Sequence, residues 1–456
     1  MKIPRIVLFI ATVAAIGGLL FGFDTGVISG ALPFLQEHWT LTDSQLEWLT
    51  TSVLLGAIIG AIASGGVTEI LGRKKMIIVN AIIFFGASLG CAFASSITEL
   101  IIMRMVIGIA IGITSYVVPM YIAEISPKKY RGGLVTLNQL MITIGILASY
   151  ITDYWLSNDQ DLESWRAMFM VGIYPAIALL IGMFFLPESP RWLISKNKLE
   201  KGRAILEQIE SKDQAQQIIQ DVQYDLTVSR NNSGLKELFK PWLRIPLSIT
   251  VMIFFFQQFS GVNTIIYYSP TIFKMAGIVS NTASIIPAII IGAANVAACA
   301  FSVIMLDRWG RRKLFLIGIS GMIPSLAVLG ISFHFGEQLG DMLPYYAAGS
   351  IIAFIIFIAI SLAPLGWLLI SEIFPLRTRS LGMSVGSLAH WGFNAIVAFT
   401  FLKLVNTLGV AYTFWSYALV CVLGLLWGYF YIPETKGKSL EEIEDHWRQG
   451  KSARSL

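Results

Sequence analysis

The chain has 456 residues, 55% hydrophobic and only 13% charged, with a formal net charge of +5. A water-soluble domain carries about 25% charged residues. This composition therefore leaves too little polar surface for a soluble protein and points to helices whose solvent is lipid.

The first apolar run covers 6–35 and follows a short basic start. A signal peptide opens in the same way, but this run is too long for one and contains Asp24. It also has no small-residue cleavage site ahead of a soluble domain, so it is read as the first membrane span. Stretches long enough to cross about 30 Å of hydrocarbon recur at 47–68, 77–95, 98–120, 132–153 and 165–186. A polar gap follows, then further stretches at 243–272, 284–306, 313–334, 344–371, 380–406 and 411–432. The fold class expected is an all-α membrane protein of twelve transmembrane helices, grouped six and six.

The connections alternate in charge. Those at 72–75, 128–131, 308–313 and 377–379 are basic, and the middle segment and both termini lie on their side. Those at 36–47, 157–163 and 336–341 are acidic or neutral, with Arg166, Lys274 and Lys403 near span ends on that side. The excess of Lys and Arg predicts a cytoplasmic basic side, with both termini inside. In the polar gap, Leu199, Ile205, Leu206, Ile209, Ile218, Ile219 and Val222 recur at helical spacing among charges. That pattern predicts short amphipathic helices on the cytoplasmic face. The domain layout expected is a six-helix bundle over 1–187, a helical linker over 188–242, a second bundle over 243–432 and a tail over 433–456.

The halves repeat. The string Gly72-Arg73-Lys74-Lys75 returns as Gly310-Arg311-Arg312-Lys313, and Glu124 with Arg131 returns as Glu372 with Arg379. The string Pro187-Glu188-Ser189 returns as Pro433-Glu434-Thr435. Three matches at offsets near 240–250 residues indicate a duplicated six-helix unit.

Several polar residues sit inside spans. Asp24 stands in the first, where an ionised carboxylate costs a few kcal/mol or more unless paired or hydrated. Arg104 in the fourth is its candidate cation, and such a pair is a proton switch: the ionised acid holds the arginine and protonation releases it. The seventh span carries Gln257, Gln258 and Asn263 around Gly261, then Tyr267 and Tyr268. Amides offer both donors and acceptors, which suits a vicinal diol. Gly261 weakens the helix there, as in the broken helices of transporter sites. Gln139, Asn295, Trp367, Trp391 and Asn394 are expected to face the same cavity. A tryptophan offers an apolar face to a sugar ring and an N–H at its edge.

Taken together, the strings GRKK at 72–75, PMYIAEISPKKYRG at 119–132, PESPRWL at 187–193, QQFSGVNTIIYYSP at 257–270, DRWGRR at 307–312, SEIFPLRTR at 371–379 and PETKGKSLEEIE at 433–444 resemble the sugar porter family of the major facilitator superfamily. The likeness runs in order over nearly the whole chain and is nearest the bacterial proton–sugar symporters. It implies two pseudo-symmetric six-helix bundles that rock about a central site. It also implies Asp24 as the proton site, sugar contacts at Gln139, Gln257, Gln258, Asn263, Asn295 and Trp367, and gating near Tyr267 and Tyr268. The charges Glu69, Arg73, Glu124, Arg131, Glu188, Arg191, Asp307, Arg308, Arg311, Arg312, Glu372, Arg379 and Glu434 are implied to latch the two halves and the cytoplasmic helices together. Two residues depart from the family: Ala363, where relatives often have glycine, and His390, where they often carry an amide. Both are expected near the sugar, and they bear on the substrate rather than the fold.

Enzyme chemistry lacks its parts. The four histidines, His38, His334, His390 and His446, include no pair at metal-ligand spacing. Cys91, Cys299 and Cys421 lie apart inside apolar runs and read as core residues. The GRKK strings lack the glycine spacing of a phosphate-binding loop. No metal or cofactor is expected. The expected partners are a monosaccharide, a proton as co-substrate and membrane lipids, with no nucleic acid, and the chain is expected to work as a monomer. Glucose is the first expectation for the sugar, then galactose or xylose. A facilitative uniporter, an inositol–proton symporter and a non-transporting sugar sensor are the alternatives.

Overall fold

The computed structural model describes residues 5–127, 130–229, 235–375, 378–438 and 440–456. Lys128, Lys129 and Arg377 of the basic connections lie outside them, as does the side chain of Asp307. The described residues form helices and no strand, and twelve of the helical stretches are long and apolar enough to cross a membrane. The first six are α1 (Arg5–His38), α2 (Asp43–Leu71), α3 (Arg73–Ala92), α4 (Ile97–Ile125), α5 (Arg131–Leu156) and the pair α6 (Trp165–Val171) with α7 (Ile173–Phe185). Between the halves lie α8 (Pro190–Ser195), α9 (Leu199–Ile209) and α10 (Lys212–Ser229). Ile194, Leu206, Ala215, Ile218, Ile219 and Val222 give these short helices an apolar core of their own.

The second half begins with a span in three pieces, α11 (Arg244–Phe259), α12 (Val262–Tyr267) and α13 (Ser269–Met275). It continues with α14 (Asn281–Trp309), α15 (Arg311–His334), the short α16 (Gly336–Leu339), α17 (Leu343–Ile360) and α18 (Leu362–Ile373). The last two spans are α19 (Arg379–Leu408) and α20 (Val410–Tyr431), and α21 (Leu440–Arg448) lies in the tail.

Local chemistry sets the ends. Thr42 caps α2 in a reciprocal pair with Gln45, and Ser96 and Ser280 cap α4 and α14. The α11–α12 break is backbone-driven: Gly261 has φ +83°, the left-handed region. Nearby hydroxyls bond the carbonyls on either side of the break, Ser260 donating to Gln257 O at 2.6 Å and Thr264 to Gly261 O at 2.7 Å. A second discontinuity, between α17 and α18, falls at Ser361 (φ −127°, ψ −95°), three residues before Pro364.

Candidate transport site

Two buried charges anchor the site. Arg104 Nη1 donates to Asp24 Oδ1 at 2.6 Å, with the side chains 0% and 2% exposed. Among the described residues, Asp24 Oδ2 and Arg104 Nε and Nη2 have no hydrogen-bond partner, so the pair is held by one bond rather than a fork. A single bond to one oxygen leaves the other free for a proton. Phe21, three residues before Asp24 and so on the same face of α1, has its ring centroid 5.4 Å from that of Trp391 in α19. One face of α1 therefore carries both the acid and a contact with the opposite half.

The seventh-span amides form a chain of hydrogen bonds. Gln257 Nε2 donates to Leu362 O at 2.9 Å, at the α17–α18 break, and Asn263 Nδ2 donates to Gln258 Oε1 at 2.7 Å across the Gly261 turn. His390 Nδ1 lies 3.1 Å from Gln258 Nε2 and 3.2 Å from Gln257 Oε1. Rings surround it, with centroids of Phe254, Trp367 and Trp391 5.1–5.2 Å away. Asn394 Nδ2 donates to Tyr267 Oη at 3.1 Å. Asn394 Oδ1 and Trp391 Nε1 are buried without partners, so an acceptor and a donor remain for a polyol. Both helix breaks feed this cluster, one by angling Asn263 and the other by offering the Leu362 carbonyl.

Not every candidate joins it. Gln139 in α5 and Asn295 in α14 are half-buried and lie outside this hydrogen-bond chain. Tyr268 is buried and donates to Ala398 O at 3.2 Å within its own half. Among the described residues, no cluster of His, Cys, Asp and Glu is arranged to hold a metal ion.

At the basic end, the repeated motifs build the same cluster twice. Arg73 binds Glu124 with Nη2 at 2.8 Å, while Glu188 Oε1 accepts from the Arg73 and Lys74 N–H groups at 2.9 and 3.0 Å. Arg311 binds Glu372 at 2.6 Å, while Glu434 accepts from the Arg311 and Arg312 N–H groups at 3.0 and 3.2 Å. Ser189 donates to Glu124 and Thr435 to Glu372. Each cluster sets a carboxylate on the N-terminus of a helix, where the dipole favours it. This differs from the expected latch between halves, because these bonds close within each half. Arg131 Nε and Arg379 Nε and Nη2 are buried without a hydrogen bond. Glu69 is exposed and contributes its carbonyl to Trp192, and Arg308 contributes its carbonyl to Lys436. Arg191 is half-buried in α8.

The halves instead meet at the acidic end. Lys274 binds Glu37 at 2.9 Å, and Asp159 accepts from Ser280 and from the Thr282 N–H and hydroxyl. Asp43 accepts from Asn406 at 2.6 Å, Glu47 from the Lys403 N–H at 2.9 Å, and Tyr150 donates to Ile266 O at 2.9 Å. In the four clasps with a carboxylate, the first half supplies the acid and the second the donor. Sequence reading missed this clasp, since its pairings span more than 100 residues. Asp159→Ala is expected to weaken the closure by about 1 kcal/mol, roughly a fivefold population shift, as for a partly exposed polar contact. Thiol labelling of a cysteine placed in this seam checks it.

The comparisons agree with this geometry. The family model described as sugar (and other) transporter matches residues 10–447. The galactose-proton symporter of Escherichia coli K12 is 39% identical over 450 residues, covering 98% of this chain and 96% of that one. The arabinose-proton symporter of the same strain is 36% identical over 456 residues, covering 99% and 96%. The partially occluded inward-open structure of the E. coli xylose transporter XylE superposes with a TM-score of 0.84 at 31% identity, covering 96% and 100%. The molecule is a transporter rather than an enzyme, and the chain belongs to the sugar porter family of the major facilitator superfamily.

Proposed function

We propose that this protein carries a monosaccharide, glucose first and galactose or xylose next, into a bacterial cell together with a proton. It would sit in the inner membrane as a single working chain, with the basic end and both termini in the cytoplasm, and use no cofactor. The observation that carries the reading is the buried Asp24–Arg104 pair at 2.6 Å, one helical turn from a ring that touches the amide and indole cluster. The relatives named for galactose, arabinose and xylose support a sugar, and two of them are named as proton symporters.

The acidic end is clasped, which corresponds to the outside-closed half of an alternating-access cycle. The ionised pair suits the empty carrier on its return. At the outside, a proton on Asp24 releases Arg104, frees α1 to shift and lets Phe21 reset against Trp391. Sugar hydroxyls then meet Gln257, Gln258, Asn263, Trp391 and Asn394, with Gln139, Asn295 and Trp367 completing the cavity as the halves move. Tyr267 and Tyr268 lie on the broken span and gate it. The basic-end clusters hold each half as a rigid body, and remaining charges of that end such as Arg131 and Arg379 exchange partners between states.

His390 tunes which sugar fits. Its ring sits where an amide would otherwise complete the Gln257–Gln258 chain. His390→Gln is expected to change the ratio of kcat/KM values between glucose and xylose by about tenfold, the net worth of one exchanged hydrogen bond. Competition assays with the two sugars check this.

The test of the function is uptake of labelled glucose into proteoliposomes with and without an inward proton gradient. Accumulation above the external concentration, abolished by a protonophore, supports symport. Equilibration that ignores the gradient means a uniporter, and no uptake turns the assay to pentoses and inositol.

A further inference from the structure

A second acid lies deep in the molecule, away from Asp24. Asp153 is 0% exposed, one turn from the acidic end of α5. Among the described residues, neither of its carboxyl oxygens has a hydrogen-bond partner. α1 lays Gly30 directly on it, so that a Cβ at Gly30 would come 2.5 Å from Asp153 Oδ2. Its neighbour Ser29 is also wholly buried, with its hydroxyl beside that of Tyr150.

The groups around Asp153 leave it no counter-charge. On its own helix, Tyr150 spends its hydroxyl on Ile266 O. α1 presents Gly30 and Ser29, and its Glu37 near the helix end is taken by Lys274. α6 brings Arg166, whose guanidinium is committed to the Ala92 and Ala94 carbonyls and to Glu163. α14, across the seam, presents Gly292 to Tyr150. A carboxylate so enclosed would be unsolvated and unpaired, whereas a carboxylic acid is tolerated there.

We propose that Asp153 is a second proton-binding site, occupied while the acidic end is closed and emptied when that end opens. Tyr150, one turn away, clasps the opposite half, so parting the seam brings water to α5. Ionisation then opposes reburial, and Asp153 becomes a pH-dependent hold on the outer gate. The clasp acid Asp159 does not do this. Partial burial alone would raise its pKa, but hydrogen bonds from Ser280 and Thr282, with Lys274 nearby, outweigh that and hold it below the ordinary carboxylate range. It therefore stays ionised through neutral and mildly acidic pH.

The sign is fixed by linkage. The closed state binds the proton and the open state releases it, so rising external pH favours opening by up to about tenfold per pH unit. The proposal rests on the alternating-access reading but not on Asp24 as the coupled site.

The test places a cysteine at Ser269, buried where α13 packs on α1, in a chain with Cys91, Cys299 and Cys421 replaced by serine. Labelling by a membrane-impermeant thiol reagent is followed against external pH without sugar. Each rate is divided by that of the same cysteine in unfolded protein, which removes the thiolate's own rise with pH. The expected ratio rises with pH in that background and is low and flat with Asp153→Asn, which mimics the protonated acid. Infrared spectra add a direct measurement: a protonated-carboxyl band should be present in wild-type protein and in Asp24→Asn but absent from Asp153→Asn. Unchanged pH dependence in Asp153→Asn, or a spectrum it shares with wild type, overturns the proposal. Failure of proton-driven accumulation, with this labelling pattern intact, would overturn symport and leave Asp153 standing.

Discussion

Asp24→Asn is expected to abolish accumulation of sugar against its gradient while sugar counterflow persists. Asparagine keeps the size of the side chain and its capacity to accept a hydrogen bond from Arg104, but it cannot release a proton. Each proton contributes about 1.4 kcal/mol per pH unit, and the membrane potential adds about 2.3 kcal/mol per 100 mV. With one pH unit and 100 mV together, roughly 3.7 kcal/mol supports a limiting accumulation of several hundred-fold. The variant should plateau near the external concentration. Arg104→Ala should fare worse, because it strands Asp24 at 2% exposure without a cation. Breaking a buried pair from one side costs about 3–5 kcal/mol unless the remaining charge is neutralised. Labelled-sugar uptake under an imposed gradient, paired with counterflow in its absence, separates the two quantities. A variant that accumulates like wild type would remove Asp24 from coupling, and one that loses counterflow as well would make the pair structural.

Much of this arrangement can be read from the chain because hydrocarbon penalises polar groups. A charge inside an apolar run demands a partner, which is why Asp24 and Arg104 could be paired before any coordinates, and the structure joins them. The twelve spans follow from the same penalty, since a membrane span must satisfy its own backbone. Gly261 stood out as a weak point between amides, and it is the left-handed residue that breaks the span. Ser361 gave no such signal. It is neither glycine nor proline itself; the local breaker is Pro364, which has no N–H for the Ile360 carbonyl and crowds it, and at the break the Leu362 carbonyl accepts from Gln257.

Pairing partners at the two ends were less legible. Glu124 and Arg131 are seven residues apart, and the repeat of that spacing invites a bond between them. Yet Glu124, near the end of α4, takes Arg73 from α3, and Arg131 Nε at the start of α5 has no hydrogen bond among the described residues. The acidic-end clasp is a property of one conformation, in which α5 meets α14 and α2 meets α19. A sequence carries the residues for every state of a moving protein, and nothing along the chain says which state assembles which bonds. Asp153 was legible in principle, as an acid within the fifth span. Its lack of a partner was not, because the neighbouring spans do carry arginines, Arg104 and Arg166, and only the structure shows both committed elsewhere.

Gly261→Val is expected to cost both folding and transport. Two independent penalties meet at this position. The backbone sits at φ +83°, where a β-branched residue is strained by about 1–3 kcal/mol. A Cβ would also press into the ring of Tyr417 in α20, overpacking of a kind that costs about 1–3 kcal/mol more. The chain can relieve both by straightening the span, but a continuous helix would swing Asn263 away from Gln258 and misplace the amide row. The variant should therefore melt at lower temperature, and what folds should bind sugar weakly. Two further chains separate the causes. Both carry Tyr417→Ala and are read against Tyr417→Ala alone, because losing that buried ring leaves a cavity of its own. Adding Gly261→Ala keeps the strain without the clash and should lower stability and affinity further, whereas adding Gly261→Asn should lower them least, since asparagine tolerates the left-handed region. Thermal unfolding in detergent and sugar binding on the same preparations read the two effects. If Gly261→Val melts and binds like wild type, the span does not need its break, and the site must be organised some other way.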